Sequence, residues 1–189
     1  FLRGSFLSEA DPYAPESLYP FDTKGIACCP MAVRPSGKIP PLGSTFEAWD
    51  TKSYGPTFRC SYGFNEKLLG LESVHPLTGE LRGPNVFLLK GSAKLPVLLD
   101  CKVPHMWVSD RDGPPQTERA PFVWGSFCMN RHNGYINGLF LDWSVRKIGL
   151  KELWTLKWYE RFDTANAWTK AGGVQPEDWP KWMRGFKEY

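Results

Sequence analysis

The chain has 189 residues, 42% of them hydrophobic and 23% charged, which is enough apolar material for a packed core and excludes a disordered chain. The 18 glycines and 17 prolines make up about 19% of the residues against a usual ~12%, which excludes a mostly helical bundle and predicts turns, short strands and long loops. The 23 basic and 20 acidic residues interleave, as in Lys151–Glu152 and Glu160–Arg161, and leave a net +3 without the basic stripe of a nucleic-acid binder.

No stretch reaches the ~18–20 apolar residues that span a bilayer. The start, FLRGSFLSEADPY, is too short and too polar for a secretory leader and reads as the beginning of a mature or truncated product. Prolines from Pro12 to Pro56 interrupt nearly every window of residues 1–57, predicting a loop-rich leading segment with a short helix at 15–19 and an exposed loop at 33–45. Residues 57–63 (TFRCSYG) are β-branched and aromatic and predict a strand, followed by a short helix or turn at 64–71. Two apolar runs follow, 85–90 and 96–101; the second predicts a buried strand that ends on the carboxylate of Asp100. Residues 109–121 are a polar loop.

Residues 122–130 and 138–142 flank RHNGYIN, in which Asn133 and Gly134 both tolerate positive φ and predict a hairpin turn. A second turn at 142–144 leads into 145–148, giving a three-stranded β-meander. The period then changes. Leu150, Leu153, Trp154 and Trp158 are spaced as one face of a two-turn helix. In the tail, PEDWPKWMRGFKEY, Asp178 can cap, Pro180 fits a first turn, and Trp179, Trp182, Met183 and Phe186 share a face. That stripe either closes the domain's own core or docks a partner. The expectation is one α+β domain over 1–189: a loop-rich segment (1–57), an antiparallel sheet (58–148) and a helical tail (149–189).

Signatures for catalysis are thin. There is no G-x-S-x-G, H-E-x-x-H, Walker or dinucleotide-binding pattern. His75 and His105 adjoin prolines and read as ordinary turn residues. Cys128 and His132 would share a strand face, but a cysteine in an apolar strand faces the core far more often than a base. Asp110-x-Asp112-Gly113 resembles a fragment of a calcium loop without its distal carboxylate, and reads as an Asp/Gly turn. Of the five cysteines, Cys29 and Cys60 are the expected disulfide pair in an oxidising compartment, with Cys28 an equal competitor for Cys60. No C-x-x-C pair suggests zinc, and no metal ligands are assigned. His132 and Asp142, nine residues beyond it in the intervening count, read as structural: Asp142 caps the amides of its turn, and the imidazole serves backbone carbonyls or a neighbouring carboxylate such as Asp100.

RHNGYINGLFLDW resembles the H-X9-DG motif of prepilin-type, pseudopilin-like proteins of type II secretion and related systems. ACCPMA, CSYGFN and PVLLD resemble further segments of that family in the same order, and PEDWPKWMRGFKEY resembles the tryptophan-rich ending of one subgroup. The resemblance covers about residues 25–189. Trp143 stands where the family has Gly, which predicts a second turn of a different type, because Trp at positive φ is costly.

The resemblance implies a noncatalytic head with a pseudopilin-like fold, without cofactor apart from the calcium that some major pseudopilins hold. It implies assembly with other pilin-like subunits or with copies of itself, at the bacterial periplasm or cell surface. Membrane contact would come only through an N-terminal apolar helix that this sequence lacks. The tail residues Trp179, Trp182, Met183 and Phe186 are the expected subunit interface. The competing expectation is a secreted carbohydrate- or ligand-binding module that uses exposed aromatics; the location of the tryptophans discriminates the two.

Overall fold

The computed structural model describes residues 28–35, 42–50, 59–69, 90–120 and 124–189. The helix expected at 15–19, the run 85–90 apart from its last residue, and His75 lie outside the described residues. The architecture is α+β. A small sheet joins β1 (Arg34–Pro35), β2 (Glu47–Asp50) and β3 (Arg59–Cys60), so the leading segment contributes strands as well as loops.

The main sheet has five strands. They are β4 (Tyr62–Asn65), β5 (Pro96–Asp100), β6 (His105–Met106), β7 (Tyr135–Phe140) and β8 (Val145–Gly149), in spatial order β6-β4-β5-β7-β8. Pairing is antiparallel except for the short parallel contact of β4 with β6, so the sheet is mixed rather than wholly antiparallel. The meander is therefore β5-β7-β8, with Leu99 opposite Gly138 and Gly138 opposite Arg146. A short helix, α1 (Glu66–Leu69), follows β4 as expected.

The expected strand at 122–130 is instead a one-turn helix, α2 (Trp124–Phe127), with all four residues buried. Residues 122 and 123 of that stretch lie outside the described residues. A short run buried on every side carries no period that separates strand from helix. Asn133 (φ 53°) and Gly134 (φ 90°) do take left-handed backbone, but they turn the chain into β7 rather than joining two strands. Asn130 Oδ1 accepts the Gly134 N–H at 2.6 Å and closes this turn.

The hairpin is β7–β8. Its turn puts Trp143 at φ 65°, so the left-handed conformation that a Gly would take is kept here by a Trp. The expected change of turn type does not occur, because Asp142 Oδ1 holds the turn by accepting the Ser144 N–H (3.0 Å) and hydroxyl (2.6 Å).

β7 alternates half-buried Tyr135, Asn137 and Leu139 with buried Ile136, Gly138 and Phe140, a period of two that sends one face to the core. The residues after β8 cover that face with rings. Trp124 stacks on Trp154 at 4.2 Å between centroids, and Trp158 and Trp179 meet these two edge-on at 5.3 and 5.4 Å. Both expected C-terminal helices are present only as short 3-10 pieces, not as two-turn α-helices. The first is a 3-10 turn at Lys151–Thr155 and the second a 3-10 turn at Lys181–Met183. Asp178 accepts the N–H of Gln175 behind it (2.8 Å) and caps no helix ahead. Two-turn helices are marginal because nucleation is costly, and here burial of the tryptophans decides the path of the chain.

Candidate functional site

Asp100 ends β5 with its side chain wholly buried, and Arg131, two residues past Met129, is buried beside it. The guanidinium donates to Asp100 Oδ1 at 2.8 Å and also to the carbonyls of Ser61 (2.8 Å), Thr45 (2.7 Å) and Ser44 (3.1 Å). One side chain thus ties the 42–50 segment to β5 and to Ser61, the residue between β3 and β4. The other carboxylate oxygen, Oδ2, accepts the backbone N–H of Asn137 at 2.7 Å, which adds β7 to the same node. A buried ion pair is tolerable only when its remaining donors and lone pairs are satisfied in this way.

His132 sits on the rim of this node, 20% exposed at its side chain. Its Nε2 lies 3.2 Å from Asp100 Oδ2, 3.0 Å from Asn137 Nδ2 and 3.4 Å from Cys29 Sγ. Cys29 is brought there by a turn in which the Ala32 N–H donates to the Cys29 carbonyl (2.8 Å), while the Cys29 N–H donates to Ser61 Oγ (2.6 Å). Burial pushes the Cys29 thiol above its ordinary range, and the Asp100 charge acts in the same direction against Arg131. At neutral pH it is a thiol, the opposite of an activated cysteine nucleophile.

Of the two kinds of partner expected for the His132 imidazole, backbone carbonyls or a carboxylate such as Asp100, the carboxylate is the one beside it. The expected disulfide does not form. All five cysteines are free; Cys29 turns its sulfur to His132, and Cys60 accepts the Tyr62 N–H at 3.4 Å with its thiol pushed up to about 11 by burial. Cys28 points instead to the Arg59 carbonyl at 3.8 Å. Cys128 does not meet His132 and contacts Met183 Sδ in the core at 3.9 Å.

His132 and Asp142 are not brought together. They flank opposite ends of β7, whose 6 residues span roughly 20 Å. Asn133 and Gly134 form the turn that presents His132, and the Gly134 carbonyl also accepts the Leu150 N–H at 3.0 Å. Asp110 accepts from the Tyr159 hydroxyl (2.8 Å), which ties its loop to the 159–163 segment, and Asp112 accepts from the Ser109 N–H (3.2 Å) within the loop. His105 pairs with Glu66 at 3.0 Å, joining β6 to α1.

The tail does not form a free aromatic face. Trp179 and Met183 are buried in the core, and Trp182 and Phe186 pack against it, with the Trp182 indole donating to the Pro115 carbonyl at 2.9 Å. Fully buried Lys151 anchors the same segment by pairing with Glu188. The expected interface at Trp179, Trp182, Met183 and Phe186 is therefore corrected: these residues close the domain's own core.

Sequence reasoning missed Arg131, Asn137 and the approach of Cys29. The usable signal was Arg131 adjoining His132 with Asn137 five positions on, polar residues between the apolar runs that flank them. A hollow of about 380 Å³ among the described residues is lined by Arg111, Asp112, Pro115 and Trp124, and neither a thiol nor an imidazole lines it. No described helix is long and apolar enough to cross a membrane. No family model matches the chain, and no curated protein or solved structure is significantly similar to it.

Proposed function

We propose that the chain is a noncatalytic, pseudopilin-like head that assembles with other pilin-like subunits at the bacterial periplasm or cell surface. The observation that carries this reading is the engagement of His132. Asp100, Asn137 and Cys29 all approach its Nε2, so among the described residues the thiol and the carboxylate crowd one ring nitrogen instead of flanking the ring as nucleophile and orienter do. The thiol nearest the ring is held neutral by burial. The histidine and aspartate of the H-X9-D spacing each support a turn or strand end, as an architectural motif would.

The tryptophans favour the same reading over a ligand-binding module. Trp124, Trp154, Trp158 and Trp179 are in the core, and of these four Trp124 alone edges the hollow beside Arg111 and Pro115. With the tail buried, subunit contact falls on the β7–β8 turn, where Trp143 is 82% and Val145 73% exposed. A bulky exposed side chain held at positive φ is a strained feature that folding does not require. The test is co-sedimentation of the natural full-length product with pilin-like filaments from its own cells. The account expects wild-type protein in the pellet and the Trp143→Gly variant, equally folded, in the supernatant. Wild-type protein that never sediments with filaments overturns the reading.

A further inference from the structure

The geometry points to a Zn2+ site formed by Cys29 Sγ, Asp100 Oδ2 and His132 Nε2, a structural pin that fastens the 28–35 segment to the main sheet. The three donor atoms come from segments far apart in sequence and lie within 4.8 Å of one another. With zinc bonds of about 2.3 Å to S and about 2.0–2.1 Å to N and O, a tetrahedral angle separates N from O by about 3.3 Å and N from S by about 3.6 Å. The observed separations are 3.2 Å and 3.4 Å.

With the Asn137 Nδ2 facing the ring, the cluster is hard to satisfy with protons alone. If Nε2 carries a proton, it can donate to Asp100 Oδ2, but it then faces the Asn137 amide N–H across 3.0 Å. If Nε2 carries a lone pair, the Asn137 amide can donate to it, but the Asp100 carboxylate then opposes that lone pair at 3.2 Å. A dication accepts the lone pairs of sulfur, oxygen and nitrogen together. Binding releases the Cys29 thiol proton to solvent, and His132 keeps its remaining proton on Nδ1. Turning over the Asn137 amide replaces Nδ2 with Oδ1 and supplies a fourth donor.

The surroundings fit a metal ligand set. Arg131 and the Asn137 backbone N–H fix the orientation of the Asp100 carboxylate, as outer-shell partners of metal-bound carboxylates do. The rim position of His132 gives an ion a path from solvent. A sulfur, a nitrogen and one oxygen suit zinc; calcium takes six to eight oxygens and has no place here. This inference does not depend on whether the chain assembles into filaments.

The experiment uses the untagged full chain, stripped with chelator under reducing conditions and titrated with Zn2+, then with Co2+ as a spectroscopic probe. The wild type should take up one equivalent of Zn2+, melt at a higher temperature when loaded, and show a thiolate-to-Co2+ charge-transfer band. Loss of an outer-shell partner costs ~10–100-fold in affinity, so Cys29→Ser and His132→Gln should each weaken Zn2+ binding by at least about 10-fold. Cys28→Ser should bind as the wild type does. Folded wild-type protein that takes up no Zn2+ overturns the proposal, as does uptake that survives both ligand substitutions. If those variants do not fold, the wild-type Co2+ spectrum decides: a charge-transfer band supports the site and its absence overturns it.

Discussion

Arg131 and Asp100 pair at 2.8 Å with both side chains shut off from solvent, and the same guanidinium reaches three backbone carbonyls. Removing one member strands the other as a buried charge. Arg131→Met should cost ~3–5 kcal/mol of stability in urea denaturation, and Asp100→Asn in the Arg131→Met background should recover part of it. A loss below ~1 kcal/mol for the single variant contradicts the role given to this pair.

Asp142 supplies a pH test. The Ser144 hydroxyl, and then the Ser144 backbone N–H, hold its carboxyl below the ordinary carboxylate range. A lowered folded value means that the contribution is complete above the unfolded value and fades as pH falls through the folded one. Asp142→Asn should therefore melt below the wild type at neutral pH, and the two should converge in strong acid. A gap that keeps its size in acid contradicts the hydrogen-bonded carboxylate.

Trp143→Gly should raise stability, by about 1 kcal/mol, although it removes a large side chain. The φ of 65° costs a non-glycine residue about that much, and an 82% exposed ring forfeits little burial. Thermal melts of the two proteins give the sign directly. A fall of ~1 kcal/mol or more means that the indole packs on its own hairpin and is not offered to a neighbour.

The tail predicts its own indispensability. Trp179 meets Trp154 and Trp168, and Lys151 pairs with Glu188 across the end of the chain. Truncation after Gly173 should leave no cooperative melt, and Trp179→Ala should cost ~3–5 kcal/mol. A truncated chain with native near-UV circular dichroism returns the tail to the role of a detachable docking segment.

The strands with a clear period were legible. β5 and β8 fall within a residue or two of expectation, because PVLLD and the hairpin partner beyond Asp142 are bounded by turn residues. The residues after Leu150 were not. Their helical spacing is present, but rings of this size settle wherever their edges and faces meet, and the chain follows in 3-10 turns. The strand ends offered Asp100 as one of two kinds of partner for His132, beside backbone carbonyls, and did not choose between them. Cys29 at 3.4 Å from the same ring was not anticipated, since nothing local in ACCPMA records a contact 103 residues away.

Assembly as a pilin-like subunit has one direct test, the processing of the natural precursor. Protein isolated from its own cell envelope should appear at its mature mass when the prepilin peptidase is present. In a strain lacking the peptidase it should shift to a longer, unprocessed mass and be lost from filament fractions. Identical mass and identical distribution in the two strains would contradict the account.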